Sequence, residues 1–300
     1  MNLKPWIALV ALVLFGCQTP SPVAPTPRAA PGGLSIELTS MDLAVGENRI
    51  AFVLLREGVP INDANVQLSF YYLGSATPEL RATAIAVPRL DHHEHQHAED
   101  QVDVAFFVAN ASLDRPGRWG LDAHIDFKYG SAGEARTDIT LASRPLAPAV
   151  GSPAIPFGSK TTRNTPLAEL TSMPPADPDL YTLTITEAIT SGKPVLITFA
   201  SPGFCSSRTC GPQLHVVEHL KELYRNSMKF VHVEIYDNPQ EMAQNPSAGR
   251  LAPAVAAWRL PSEPWTFLVD EKGMIAARFE GFVTLEELEP TVQRLLAAKS

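Results

Sequence analysis

The sequence predicts two folded domains of different class, an all-β sandwich over residues 34–143 and an α/β domain with a mixed sheet over residues 181–300. Three observations predict this. The first half alternates apolar and polar residues with period two, broken by turn residues every few positions. The second half sets a continuous apolar run, Pro194 to Ala200, among helical patterns that open with Ser/Thr-x-x-Glu boxes. Two stretches rich in proline with small and hydroxyl residues, 17–33 and 144–180, separate the parts, and 300 residues suit about two domains at roughly 100–200 each.

The β elements follow from the alternation. Ile50, Phe52 and Leu54 alternate, as do Val66, Leu68 and Phe70, and Trp119, Leu121, Ala123, Ile125 and Phe127 follow the Pro116-Gly117 turn. One buried face per strand is the mark of antiparallel sheets packed over a core. In the second domain Thr184-Ile185-Thr186-Glu187 reads as a capping box, opening a short helix that stops at Gly192. The apolar strand 194–200 comes next, then a helix from Pro212 to Asn226 and a strand from Phe230 to Tyr236. After a loop, Trp265–Asp270 and Met274–Glu280 form a hairpin, and Thr284-Leu285-Glu286-Glu287 reads as a second box launching the last helix to Ala298.

The N-terminus carries a lysine and then an apolar run, Trp6 to Phe15. That run is too short for a bilayer core of about 30 Å and fits a signal peptide over residues 1–16. Leu14-Phe15-Gly16-Cys17 resembles the bacterial lipoprotein box, which implies a lipid-modified Cys17, a Pro-rich tether over 17–33, and an extracytoplasmic protein anchored to the membrane of the bacterial envelope. A net charge of −8 without a basic stripe excludes nucleic acid as a partner. With Cys17 lipidated, Cys205 and Cys210 remain as a single pair in a compartment where disulfides persist.

Two resemblances extend this reading. "LAVGENRIAFVLLREGVPINDANVQLSF" and "RPGRWGLDAHIDF" resemble strands of the bacterial YtkA-like and FixH-like immunoglobulin-type domains, which implies a binding or assembly module. "GKPVLITFASPGFCSSRTCGPQLHVVEHL" with "SEPWTFLVDEKGMIAARFEG" resembles the thioredoxin superfamily. There a cysteine follows the first buried strand at the head of a helix, and a cis-proline precedes a later strand. Pro264 matches that proline. The cysteines depart from the pattern, four residues standing between them instead of two. Either Cys205 is the attacking cysteine and Cys210 its resolving partner, or Cys210-Gly211-Pro212-Gln213 replaces the family motif with Gln213 at the lost position.

Physical chemistry leaves that choice open. Pro212 suits a first helical turn and puts Cys210 near a helix N-terminus, where the dipole favours a thiolate and Arg208 acts in the same direction. A disulfide needs Cα atoms roughly 4.4–6.8 Å apart, so Cys205 must sit in a loop that curls back, which Ser206 and Ser207 permit. The resulting chemistry is thiol–disulfide exchange with thiols or disulfides of other envelope proteins, with no cofactor required.

Peroxidase spacing fails, because Thr209 stands where Pro202 and Ser206 would require cysteine. A Sco-type copper site lacks a histidine after His232, and the H-x-x-E-H run from His215 to His219 forms a polar helix stripe rather than a peptidase centre. The acidic, His-rich run 91–100 offers His92, His93, His95 and His97 to Zn or Cu. A rival function is therefore a non-catalytic binding or metal-delivery lipoprotein on the same scaffold.

Overall fold

A computed structural model describes residues 33–90, 104–130, 132–205 and 207–298. Cys17 with its leader and tether, the histidines at 92, 93, 95 and 97, and Ser206 lie outside the described residues. Among the described residues no helix is long and apolar enough to cross a membrane.

The N-terminal region is built almost entirely of strands: β1 (Leu34–Leu38), β2 (Gly46–Arg56), β3 (Val59–Pro60), β4 (Ala64–Tyr72), β5 (Glu79–Arg89), β6 (Phe106–Leu113), β7 (Gly117–Phe127) and β8 (Gly133–Leu141). They form one nearly closed antiparallel sheet in the order β1-β2-β6-β5-β4-β7-β8, with β3 folded back on β2. β5 holds the two halves together, because Glu79–Ala86 pairs with β4 while Val87–Arg89 pairs with β6. β1 and β8, at the ends of the order, touch one another. The approach is close enough that a Cβ added to Gly133 would lie 2.5 Å from Leu34 Cδ1. The alternating apolar residues all turn inward: Ile50, Phe52, Leu54, Leu68, Phe70, Trp119, Leu121 and Ile125 are buried in one core.

The C-terminal region comprises α1 (Ile185–Ile189), β9 (Val195–Ala200), α2 (Cys210–Tyr224), β10 (Lys229–Glu234), α3 (Pro239–Gln244), α4 (Pro253–Ala257), β11 (Trp265–Val269), β12 (Ile275–Glu280) and α5 (Leu285–Ala297). The sheet order is β10-β9-β11-β12, with β10 parallel to β9 and the other pairs antiparallel. Every residue of β9 is buried, as its unbroken apolar run requires. Val195, Ile197 and Phe199 face Ile185, Val255 and Trp258, while Leu196 faces Val216, Val217 and Leu220 of α2 and Leu288 and Val292 of α5. A helix layer thus covers each side of the sheet.

Three expectations need correction. The stretch between β10 and β11 is not plain loop but holds α3 and α4, each opened by a proline at its first turn. Residues 144–180, expected to separate the two parts, are packed into the fold from Ala147 onward. Ala147, Ala154, Leu170, Met173 and Tyr181 are buried, and Gly151 and Ala154 donate backbone hydrogen bonds to Ile275 and Gly273 beside β12. The first capping box forms as expected, with Thr184 accepting from Glu187 N–H and the Glu187 carboxylate accepting from Thr184 N–H. The second does not. Thr284 makes no side-chain capping bond, the Glu287 N–H donating to the Thr284 carbonyl instead, and the Glu287 carboxylate that would close the box goes to Arg49 of β2.

That ion pair belongs to a contact between the two regions. Arg49 donates from Nε and Nη2 to the Glu287 carboxylate at 2.6 and 2.9 Å, and to the carbonyls of Glu280 and Phe282 at 2.9 and 2.8 Å. Asp42, 5% exposed, receives Arg278 and the N–H groups of Leu146 and Ala147. The chain of bonds then runs inward: Asp42 N–H donates to Glu280, which also accepts from Ser262, whose hydroxyl accepts from the Trp265 indole. Trp265 directly follows Pro264.

Candidate functional site

The site forms where β9 ends and α2 begins. At Ala200 the buried strand stops, and the N–H groups of Phe204 and Cys205 turn back onto the Ser201 carbonyl at 3.1 and 2.8 Å. Arg208 N–H donates to the Cys205 carbonyl, and Arg208 itself takes the left-handed conformation at φ 59°. This is the curl that the five-residue step requires. It brings Cys205 back over Cys210, the first residue of α2. Gly203 permits the fold-back, since a Cβ there would lie 2.9 Å from Ser172 Cβ.

Both sulfurs are unbonded and sit in a small apolar cluster with Met173, Ala200 and Leu214. Cys205 keeps 9% exposure; Cys210 has none. The expectation that the helix N-terminus lowers the Cys210 thiol is overturned. Burial pushes that thiol well above its ordinary range, and the neighbouring Cys205 sulfur adds to the rise. The N-terminal N–H groups of α2 serve the other sulfur. The Cys210 thiol, the Ser207 hydroxyl and the N–H groups of Cys210 and Thr209 all donate to Cys205, which lowers it to about 5 against the opposing effect of burial. Ser207 lies 3.1 Å from the Cys205 sulfur and is held in turn by Thr209 at 2.8 Å.

Pro264 is buried, and the Glu263–Pro264 peptide is cis. Its neighbour Glu263 was not anticipated. A carboxylate oxygen of Glu263 and the two cysteine sulfurs all lie within 4.8 Å of one another. Burial, followed by the charge of Cys205, raises this carboxyl to about 7. The only sequence signal was an acid directly before the proline, a place that pattern reading treats as solvent-facing loop.

Two further buried groups brace the floor. His232 Nε2 donates to the Ala200 carbonyl at 3.1 Å, so its Nδ1 accepts from the Tyr181 hydroxyl at 2.6 Å. Burial lowers this imidazole to about 4 and keeps it neutral. Glu234 accepts from both the N–H and the hydroxyl of Ser172, and the Ser172 hydroxyl accepts from Gly203 N–H in the cysteine loop. Gln213 holds no site role; its Oε1 accepts Val283 N–H and ties α2 to the start of α5. On α2 the histidines 215 and 219 are exposed, with His215 beside Glu218 at 3.3 Å. Leu223 on the same helix is exposed as well.

Burial raises the Glu234 carboxyl to about 7, against the bonds it accepts from Ser172. A carboxyl raised from 4.5 to about 7 binds its proton more tightly in the folded state, so its contribution is complete below pH 4.5 and is lost as pH climbs through 7. Its share of that loss is about 3 kcal/mol by pH 8. Glu263, which faces Glu234 across the site and is raised likewise, adds to the same slope. Glu234→Gln is therefore expected to flatten stability between pH 4.5 and 8, read from urea midpoints at each pH. An unchanged slope would remove Glu234 from this account.

Residues 181–296 match the family model described as a thioredoxin-like domain. The C-terminal domain is thioredoxin-like. No curated protein matches the chain. Among solved structures, a candidate thiol:disulfide interchange protein DsbE from Chlorobium tepidum is 14% identical, covering 50% of this chain and 99% of its own, with a TM-score of 0.37. A second thiol:disulfide interchange protein of the thioredoxin family, from Chlorobium tepidum TLS, is 15% identical over 50% of this chain and 99% of its own, with a TM-score of 0.34. A DUF4426 family protein from Pseudomonas aeruginosa PAO1 is 14% identical, covering 32% of this chain and 74% of its own at 0.21. At such scores the chemistry of the thioredoxin-like domain has to be read from its own cysteines.

Proposed function

We propose that the chain is a membrane-tethered extracytoplasmic thiol–disulfide oxidoreductase that acts on envelope proteins through Cys205 and Cys210, beside Pro264. The observation that carries this is the pair itself: two unbonded sulfurs in mutual reach, one keeping 9% exposure and one fully sealed, at the head of α2 in a thioredoxin-like domain. Its residual exposure and four converging donors support Cys205 as the attacking sulfur.

Attack on a partner disulfide joins Cys205 to one partner sulfur and releases the other as a thiolate. Cys210 then gives up its proton and attacks Cys205, forming the Cys205–Cys210 disulfide and freeing the second partner thiol. Two electrons pass to the partner, and a dithiol of the envelope returns them by the reverse steps. The Leu14–Cys17 box supports lipid anchoring, and the tether to residue 33 supports a reach off the membrane. Strand order supports an immunoglobulin-type reading of the N-terminal region, since β1-β2-β6-β5 beside β4-β7-β8 is the A-B-E-D and C-F-G arrangement of such sandwiches.

The test is equilibration with glutathione buffers, with the free thiols counted by mass-tagged alkylation. A reduction potential above about −300 mV is expected for an exchanging pair; a value well below it marks a static staple and overturns the proposal.

A further inference from the structure

The exchange steps above do not require Glu263, which accepts from the Cys210 thiol and whose charge opposes the attacking thiolate. A carboxylate against a thiolate puts like charges together in a partly buried place, which disfavours the attacking form. Its Oε2 is also buried without a hydrogen-bond partner, an arrangement that costs free energy unless something positive meets it. The three groups that converge here are the Cys205 and Cys210 sulfurs and this carboxylate, all mutually within 4.8 Å. In a tetrahedral site with metal–sulfur bonds of about 2.3 Å and metal–oxygen bonds of about 2.1 Å, such atoms stand about 3.5–3.8 Å apart. Small side-chain rotations close that gap.

We infer that the reduced pair and Glu263 form a binding site for a thiophilic d10 cation, Zn2+ or Cu+. Two sulfurs select this class over Mg2+ or Ca2+, and the carboxylate supplies a third donor and the charge balance. Coordination sends the thiol protons to solvent and moves no electrons. Three donors leave a fourth position for an outside ligand, as in sites that exchange what they hold. This site is separate from the histidine run at 92–97. The inference uses the sulfurs of the exchange reading in their reduced form, but not their exchange.

The test is Zn2+ titration of the full chain, reduced, in competition with a chromogenic chelator. The protein carries His92→Ala, His93→Ala, His95→Ala and His97→Ala so that the histidine run contributes nothing. One Zn2+ per chain is expected, absent after oxidation of the pair and absent in Cys205→Ser. Glu263→Gln, which keeps the shape, is expected to weaken binding by about tenfold or more. No uptake by the reduced chain, or equal affinity in Glu263→Gln, overturns the inference. The two readings also fail separately. Zn2+ bound by a pair whose disulfide proves too stable to exchange in glutathione sinks the exchange reading alone, and exchange without Zn2+ uptake sinks this one alone.

Discussion

Cys205→Ser is expected to lower exchange with a disulfide peptide by about 100-fold or more, to the uncatalysed background, because the remaining sulfur of Cys210 has no exposure and is held as a thiol. Cys210→Ser is expected to do something different. Its Cys205 still attacks, but nothing resolves the product, so a mixed disulfide accumulates to about one per chain. Non-reducing gels and intact mass measure both outcomes on envelope extracts and on the peptide. Accumulation in Cys205→Ser instead would reverse the roles of the two sulfurs. Accumulation in neither variant would leave the chain without a nucleophile and end the oxidoreductase reading.

The second large effect is structural. Arg49→Met is expected to destabilise the protein by about 3–5 kcal/mol, the cost of leaving a buried ionic partner unpaired. The Arg49 and Glu287 side chains are only 10% and 13% exposed, and the substitution also strips two carbonyls, of Glu280 and Phe282, of their donor. Arg49→Lys should recover only part, because a single ammonium cannot reproduce the fork that spans a carboxylate and two carbonyls. Urea unfolding followed by the fluorescence of Trp119 in the first region and Trp258 and Trp265 in the second measures this. A loss below about 0.5 kcal/mol would show that the contact adds nothing beyond a surface ion pair.

Much of the fold was legible because its causes are local. Six successive residues of β9, five of them apolar, read as a strand buried on both faces, and the alternation in β2, β4 and β7 gives one wet and one dry face. α3 and α4 were missed because they are five or six residues long and open on proline, so no apolar period could develop. The two Thr-x-x-Glu boxes show the limit of local reading. Their patterns match, yet Thr184 caps and Thr284 does not, and the carboxylate that would complete the second box is taken by a guanidinium from position 49.

The site divides in the same way. The sequence by itself determined that two cysteines follow a buried strand at the start of a helix, since strand and helix starts are short-range properties, while Pro264 entered through the resemblance to the thioredoxin superfamily. Only the tertiary structure sealed Cys210 while leaving Cys205 a little exposure, placed Glu263 against both, and set Glu234 and His232 beneath them. Those outcomes turn on desolvation and on charges a few ångströms apart. Such quantities depend on side chains brought together from residues 172, 200, 234 and 263, whose separation along the chain carries no trace of the meeting.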